Sequence, residues 1–163
     1  MLIEEFERLL NLVLDACQRV YGPRLVSLAA FGSVGRGTPG PNSDIDLLIV
    51  AEDLPQGRVK RAVEFQQVER LLSEPLRQAR QLGLNAELSP VLKTSAEVEQ
   101  GSALLLDMIE DARILHDKGG FLRRSLSELR ARLQKLGARR VWRGQAWYWD
   151  LKPDYRPGEV FEL

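Results

Sequence analysis

Several residue types are scarce in this chain, and each scarcity removes a class of function. Cys17 is the only cysteine in 163 residues, so no intrachain disulfide and no cysteine-based zinc cage can form. Positive and negative side chains balance at 23 each, which argues against a uniformly basic nucleic-acid binder and leaves room only for a local basic face. No purely apolar run approaches the length needed to span a bilayer. The first ten residues, MLIEEFERLL, are acidic and amphipathic, unlike the basic-then-apolar layout of a secretory leader. A soluble, cytoplasmic protein is the expectation. What is present, 44% hydrophobic and 28% charged residues, is an ordinary globular balance for one domain with a short appendage.

Apolar residues from Leu2 to Val20 recur at three- and four-residue steps, with Glu4, Glu5, Glu7 and Arg8 between them. That is an amphipathic helix with one buried stripe, ended by Gly22-Pro23. Leu25 to Phe31 reads as a buried strand, and Asp44 to Val50 as a second, across a glycine- and proline-rich loop from Gly32 to Ser43. A helix follows from Val59 to Leu76, with a kink or break expected near Pro75. Leu84 to Leu92 is a strand candidate that Pro90 places at an edge or a bulge. Ser95 to Glu110 reads as one helix, opened by a Thr94/Glu97 capping box. Ala112 to Leu115 is a short strand, and Leu122 to Leu136 a last helix that Gly137 stops. This order predicts a small α/β sheet covered by helices.

The informative chemistry lies in Phe31-Gly32-Ser33-Val34-Gly35-Arg36-Gly37 and in Ser43-Asp44-Ile45-Asp46. Strand alternation puts Asp44 and Asp46 on one face, where two unpaired carboxylates repel. A hard cation such as Mg²⁺, bound by oxygen and shared with substrate phosphates, relieves that conflict. Gly32-Ser33 leaves a strand into a turn whose backbone N–H groups and hydroxyl can face an anion, and Arg36 can add a charge-assisted contact. Phosphate cradle and carboxylate pair together are the minimal kit for metal-assisted phosphoryl or nucleotidyl transfer. The loop is neither Gly-x-x-x-x-Gly-Lys-Ser/Thr, since no lysine follows, nor Gly-x-Gly-x-x-Gly, so both of those nucleotide folds are excluded.

GSVGRG followed by SDIDLLIV resembles the nucleotidyltransferase superfamily that includes DNA polymerase beta and the kanamycin nucleotidyltransferases. Its Gly-Ser-x(10)-Asp-x-Asp spacing is that of the minimal nucleotidyltransferases. The resemblance implies a small mixed sheet with helices packed on it, over residues 1–118. It implies that Gly32 and Ser33, with Arg36 and Ser43, hold the triphosphate of ATP or another nucleoside triphosphate. Asp44 and Asp46 would bind a pair of Mg²⁺ ions, and a third carboxylate from a later strand would complete the site. Glu87 is the candidate for that place, with Glu64 and Glu69 held in reserve. The implied reaction moves a nucleoside monophosphate, AMP in the main reading, to a hydroxyl. Small members of the family commonly work with a helical partner called HEPN, whose tyrosine they modify in toxin–antitoxin pairs. Two alternatives stand beside this: transfer to an aminoglycoside-like small molecule, and a nucleotide-binding subunit without turnover.

Other residues weigh less. Cys17 lies on an apolar stripe and reads as core, and the lone His116 as a surface group. After the helix at 119–138, residues 139–163 hold all three tryptophans together with arginines. Such a composition fits an interaction arm that docks on a HEPN-type partner or a second copy of the chain, with RNA a weaker option. Trp147 and Trp149 share a face if that stretch is extended, and the prolines beyond predict a wandering arm.

Overall fold

The computed structural model describes residues 1–144 and 146–161. Its elements are α1 (Leu2–Tyr21), β1 (Leu25–Phe31), α2 (Gly32–Gly35), β2 (Ile45–Ala51), α3 (Arg58–Gln81) and β3 (Leu88–Lys93). They continue with α4 (Ser95–Glu99), α5 (Ala103–Asp111), β4 (Arg113–Asp117), α6 (Phe121–Leu136), β5 (Arg139–Arg143) and β6 (Ala146–Asp150). Four strands form a mixed sheet in the order β3-β2-β1-β4, and β5 with β6 forms a separate hairpin. β1 runs antiparallel to both neighbours, while β2 and β3 are parallel across the α3 crossover.

Alternation along the central strands divides the core into two layers. Leu28, Ala30, Ile45, Leu47 and Ile49 pack with the stripe of α1 and with Phe65, Val68 and Leu72 of α3. Ala29, Leu48 and Val50 point the other way, onto Leu105, Met108 and Ile109 of α5 and Leu122 and Leu129 of α6. Asp46 belongs by alternation to this second face, just beyond its apolar part. α6 is fixed at its start by Asp117, whose carboxylate accepts from the N–H groups of Leu122 and Arg123 and from the Ser27 hydroxyl. Gly137, in the left-handed region at φ 71°, ends it.

Several boundaries differ from the sequence reading. Pro75 does not break α3; Leu71, whose carbonyl loses its helical partner there, is exposed, so water can serve it. The third strand starts at Leu88, and residues 84–87 lead into it as an irregular segment with Leu84 and Ala86 buried. Pro90 sits on the edge strand, which tolerates its missing N–H. The single helix expected from Ser95 is two, divided at Gly101 with φ 88° and restarted by the Ser102 hydroxyl. The Thr94/Glu97 capping box opens the first of them. The fourth strand is shifted to Arg113–Asp117. β5 and β6 pair antiparallel and pack on their own domain through Trp149, whose indole donates to the Leu106 carbonyl at 3.1 Å. Among the described residues no helix is long and apolar enough to cross a membrane.

Candidate active site

The antiparallel register sets Phe31 opposite Asp46, so the end of β1 and the start of β2 meet where α2 begins. Gly32 makes that junction possible. Its φ is +64°, and a Cβ there would stand 2.3 Å from Asp46 Oδ2, closer than any side chain can come. Gly35 is equally confined, because its Cβ would meet the Asp111 carbonyl at 2.4 Å and the Ala30 carbonyl at 2.7 Å. The short turn α2 is thereby pressed between the Asp46 carboxylate and the end of α5. Its loop closes on itself: the Thr38 N–H donates to the Ser33 carbonyl at 2.9 Å. Ser43 Oγ accepts from Ser33 Oγ at 3.0 Å and from the Gly40 N–H at 2.8 Å.

Asp44 is exposed just ahead of β2, and Asp46 is half-buried. Partial burial, reinforced by the negative charge of Asp44, raises the Asp46 carboxyl above its ordinary range. The Ser89 hydroxyl and the charge of Arg36 oppose that rise without cancelling it. Ser89 comes from β3, paired directly with Asp46, and belongs to the site although its residue type alone does not announce it. Its signal in the sequence is its place two residues after Glu87 on the same side of the strand.

Glu87 stands at the entry to β3, exposed, with its carbonyl accepting from the Ile45 N–H at 2.8 Å. It borders a hollow shared with Glu69 and Arg80 of α3. Among the described residues no group of three or more His, Cys, Asp or Glu side chains is close enough to hold a metal ion, so Glu87 does not join the aspartates in a preformed trio. Arg36 reaches away from the loop to Asp111 Oδ2 at 3.0 Å. Two large hollows, about 670 and 720 Å³, lie elsewhere, beside α4, α5 and α6 and between α3 and β3; neither is bordered by Asp44 or Asp46.

The other candidates are structural. Cys17 is fully buried, and burial pushes its thiol up to about 12, so it is no nucleophile at neutral pH. His116, on β4, pairs with Leu28 at the middle of β1, three residues along the strand from Phe31. Glu64 is bound to Arg24 at 3.3 Å.

The profile of the nucleotidyltransferase domain matches residues 10–116, which carry the sheet, the glycine turn and the aspartate pair. The chain belongs to the nucleotidyltransferase domain family. It is 27% identical over 136 residues to MJ1305 of Methanocaldococcus jannaschii, a candidate protein adenylyltransferase, covering 80% of this chain and 87% of that one. Among solved structures it is similar to a chain of a toxin–antitoxin structure with AMP-PNP, at 20% identity and a TM-score of 0.45, covering 78% of this chain and 91% of the other. A tri-AMPylated Shewanella oneidensis HEPN toxin in complex with an MNT antitoxin gives 16% identity and a TM-score of 0.40, over 84% and 93%. This nucleotidyltransferase domain thus presents Asp44 and Asp46 at the mouth of β2, against a glycine that leaves Asp46 room.

Proposed function

We propose that this nucleotidyltransferase moves AMP from ATP to a hydroxyl of another protein, a tyrosine of a HEPN-type helical partner, in a divalent-metal-dependent reaction. The observation that carries the reading is the aspartate pair: two carboxylates share a face, no cationic side chain bonds to them among the described residues, and one has a raised pKa. A hard cation fits that donor set, with Asp44 and Asp46 as its ligands. When bound, the metal would neutralise the triphosphate and acidify the acceptor hydroxyl. Gly32, Ser33, Ser43 and Arg36 bind and orient the triphosphate. The acceptor oxygen forms a bond to the α-phosphorus, the bond to the β-phosphate oxygen breaks, and pyrophosphate leaves. The hydroxyl proton passes to Glu87, whose backbone carbonyl accepts from the N–H of Ile45, the residue between the two aspartates. The similarity to MJ1305 supports a protein acceptor rather than an aminoglycoside.

A second reading, a nucleotide-binding subunit without turnover, draws on the separation of Glu87 from the aspartates. Incubating the chain with α-labelled ATP, Mg²⁺ and a co-expressed HEPN protein decides between them. Label on the partner, lost with a chelator, is the expected result. Label on a small molecule, or saturable ATP binding with no transfer, overturns the protein-acceptor reading.

A further inference from the structure

Asp111, at the C-terminal end of α5, is 4% exposed and serves two arginines from different parts of the chain. Arg36 Nη1 donates to its Oδ2 at 3.0 Å. Arg140, from β5, grips both oxygens, Nη1 to Oδ1 at 3.1 Å and Nη2 to Oδ2 at 2.8 Å. Arg140 is 12% exposed, and its guanidinium lies 3.8 Å from the ring centre of Trp147 and 4.9 Å from that of Trp142. Arg36 is the more open of the two arginines at 32%. It also stands within electrostatic reach of Asp46, whose carboxyl it lowers. Three further facts tie the ends together: α2 touches the Asp111 carbonyl at Gly35, Arg36 follows directly, and the half-buried Asp107 adds a second negative charge beside Arg140.

A buried carboxylate bound by one arginine cannot release it without stranding a charge. Bound by two, it can. We propose that Asp111 and Arg140 are positioning residues for the nucleotide: Asp111 holds Arg36 in reserve, and Arg140 keeps Asp111 neutralised while Arg36 turns to a phosphate oxygen of ATP. The indoles of Trp142 and Trp147 hold the Arg140 fork in place, which gives the C-terminal hairpin a role in nucleotide binding without touching nucleotide. This rests on the reading of Gly32–Arg36 as the triphosphate site.

The test is calorimetric binding of ATP with Mg²⁺, backed by steady-state kinetics and a thermal melt of each variant. Arg140→Gln leaves Asp111 and Asp107 to compete for Arg36, so ATP affinity should fall about tenfold, with KM raised and kcat little changed. Adding Asp111→Asn to Arg140→Gln removes the competing charge, and affinity should return to within about threefold of the parent. In an Arg36→Ala background, Arg140→Gln should weaken binding no further. If Arg140→Gln fails to fold, Arg140→Lys takes its place, with a loss of about threefold that Asp111→Asn reverses. A purely structural role predicts that the double variant binds as poorly as Arg140→Gln, and that result overturns the inference. So does wild-type affinity in Arg140→Gln while Arg36→Ala is impaired, a result that leaves the triphosphate reading standing. No ATP binding by the parent protein overturns that reading and this inference with it.

Discussion

Two acidic sites lie on either side of Arg36, and they are built in opposite ways. At the mouth of β2, Asp46 faces the charge of Asp44, with a serine hydroxyl and the charge of Arg36 as its relief among the described residues. At the end of α5, the far more buried Asp111 is bonded by two guanidinium groups. A fold that placed carboxylates only for stability would compensate the first site as it does the second. Leaving half-buried Asp46 beside the charge of Asp44 without an ion-pair partner costs stability, and such perturbed groups cluster at functional sites. On the proposed reading, this difference in compensation separates the metal-binding carboxylates from the scaffolding one.

Removing the uncompensated pair is the strongest way to break the contrast. Asp44→Asn with Asp46→Asn should lower transfer by on the order of a thousandfold or more, the loss expected when metal-based stabilisation of several kcal/mol disappears. Stability should not fall with it. An acid raised in the folded state holds its proton more tightly there, so the parent gains stability as pH drops through the folded Asp46 value. The double variant should be at least as stable as the parent at neutral pH without metal, and its stability should depend less on pH in that range. Retained transfer, measured with labelled ATP, would falsify the functional assignment.

The compensated site should respond in the reverse sense. Asp111→Ala strands Arg140, only 12% exposed, and frees Arg36. Urea unfolding should show a loss of about 3 kcal/mol, the range for breaking a buried ion pair from one side. A loss under about 0.5 kcal/mol, the usual size of a neutral surface change, would place Asp111 with the solvated carboxylates and erase the contrast.

Glu87 belongs to neither group yet. If it takes the hydroxyl proton, Glu87→Gln should lower turnover about a hundredfold while ATP affinity stays within a few-fold. Equal turnover assigns the carboxylate to the exposed entry of β3, and Glu69, which borders the same hollow, becomes the next residue to test.

Local chemistry explains which of these features could be read from the sequence. The glycine turn, the Thr94/Glu97 box and the Gly137 stop each depend on residues a few positions apart, and each is where the pattern puts it; the Asp-x-Asp strand starts one residue late, at Ile45. Pro75 and Gly101 misled in opposite directions, because burial on either side of Pro75 carries α3 through, whereas Gly101 with Ser102 divides a continuous apolar pattern. The Asp111 site was illegible for a simpler reason. Its arginines lie 75 and 29 residues away in the chain, and nothing in Glu110-Asp111-Ala112 marks the aspartate as their meeting point. The residue type of Ser89 is equally silent in the sequence; only its pairing with Asp46 across the sheet brings its hydroxyl to that carboxylate.

The smallest expected effect comes from a compensated carboxylate nearer the surface, and it sharpens the comparison through pH. Glu97 accepts from Arg61 Nη1 and Nη2, both at 2.8 Å, and from the Thr94 N–H at 2.9 Å. Hydrogen bonding from Arg61 is the main cause that holds its carboxyl down at about 2; burial opposes it, and the Thr94 bond and the charges of Arg61 and Lys93 add to the lowering. Its sign is therefore opposite to that of Asp46. An acid lowered in the folded state stabilises above its unfolded value, and that stabilisation is lost as pH falls from about 4.5 toward 2. The Glu97 side chain is 36% exposed, so solvent screening limits the contribution to about 1 kcal/mol at neutral pH. Glu97→Gln keeps the capping geometry and removes the charge. Its unfolding free energy should lie about 1 kcal/mol below the parent's at pH 7 and converge with it near pH 2. A constant gap across that range would mean that the lost interaction is the hydrogen bonding itself, not the ionised carboxylate.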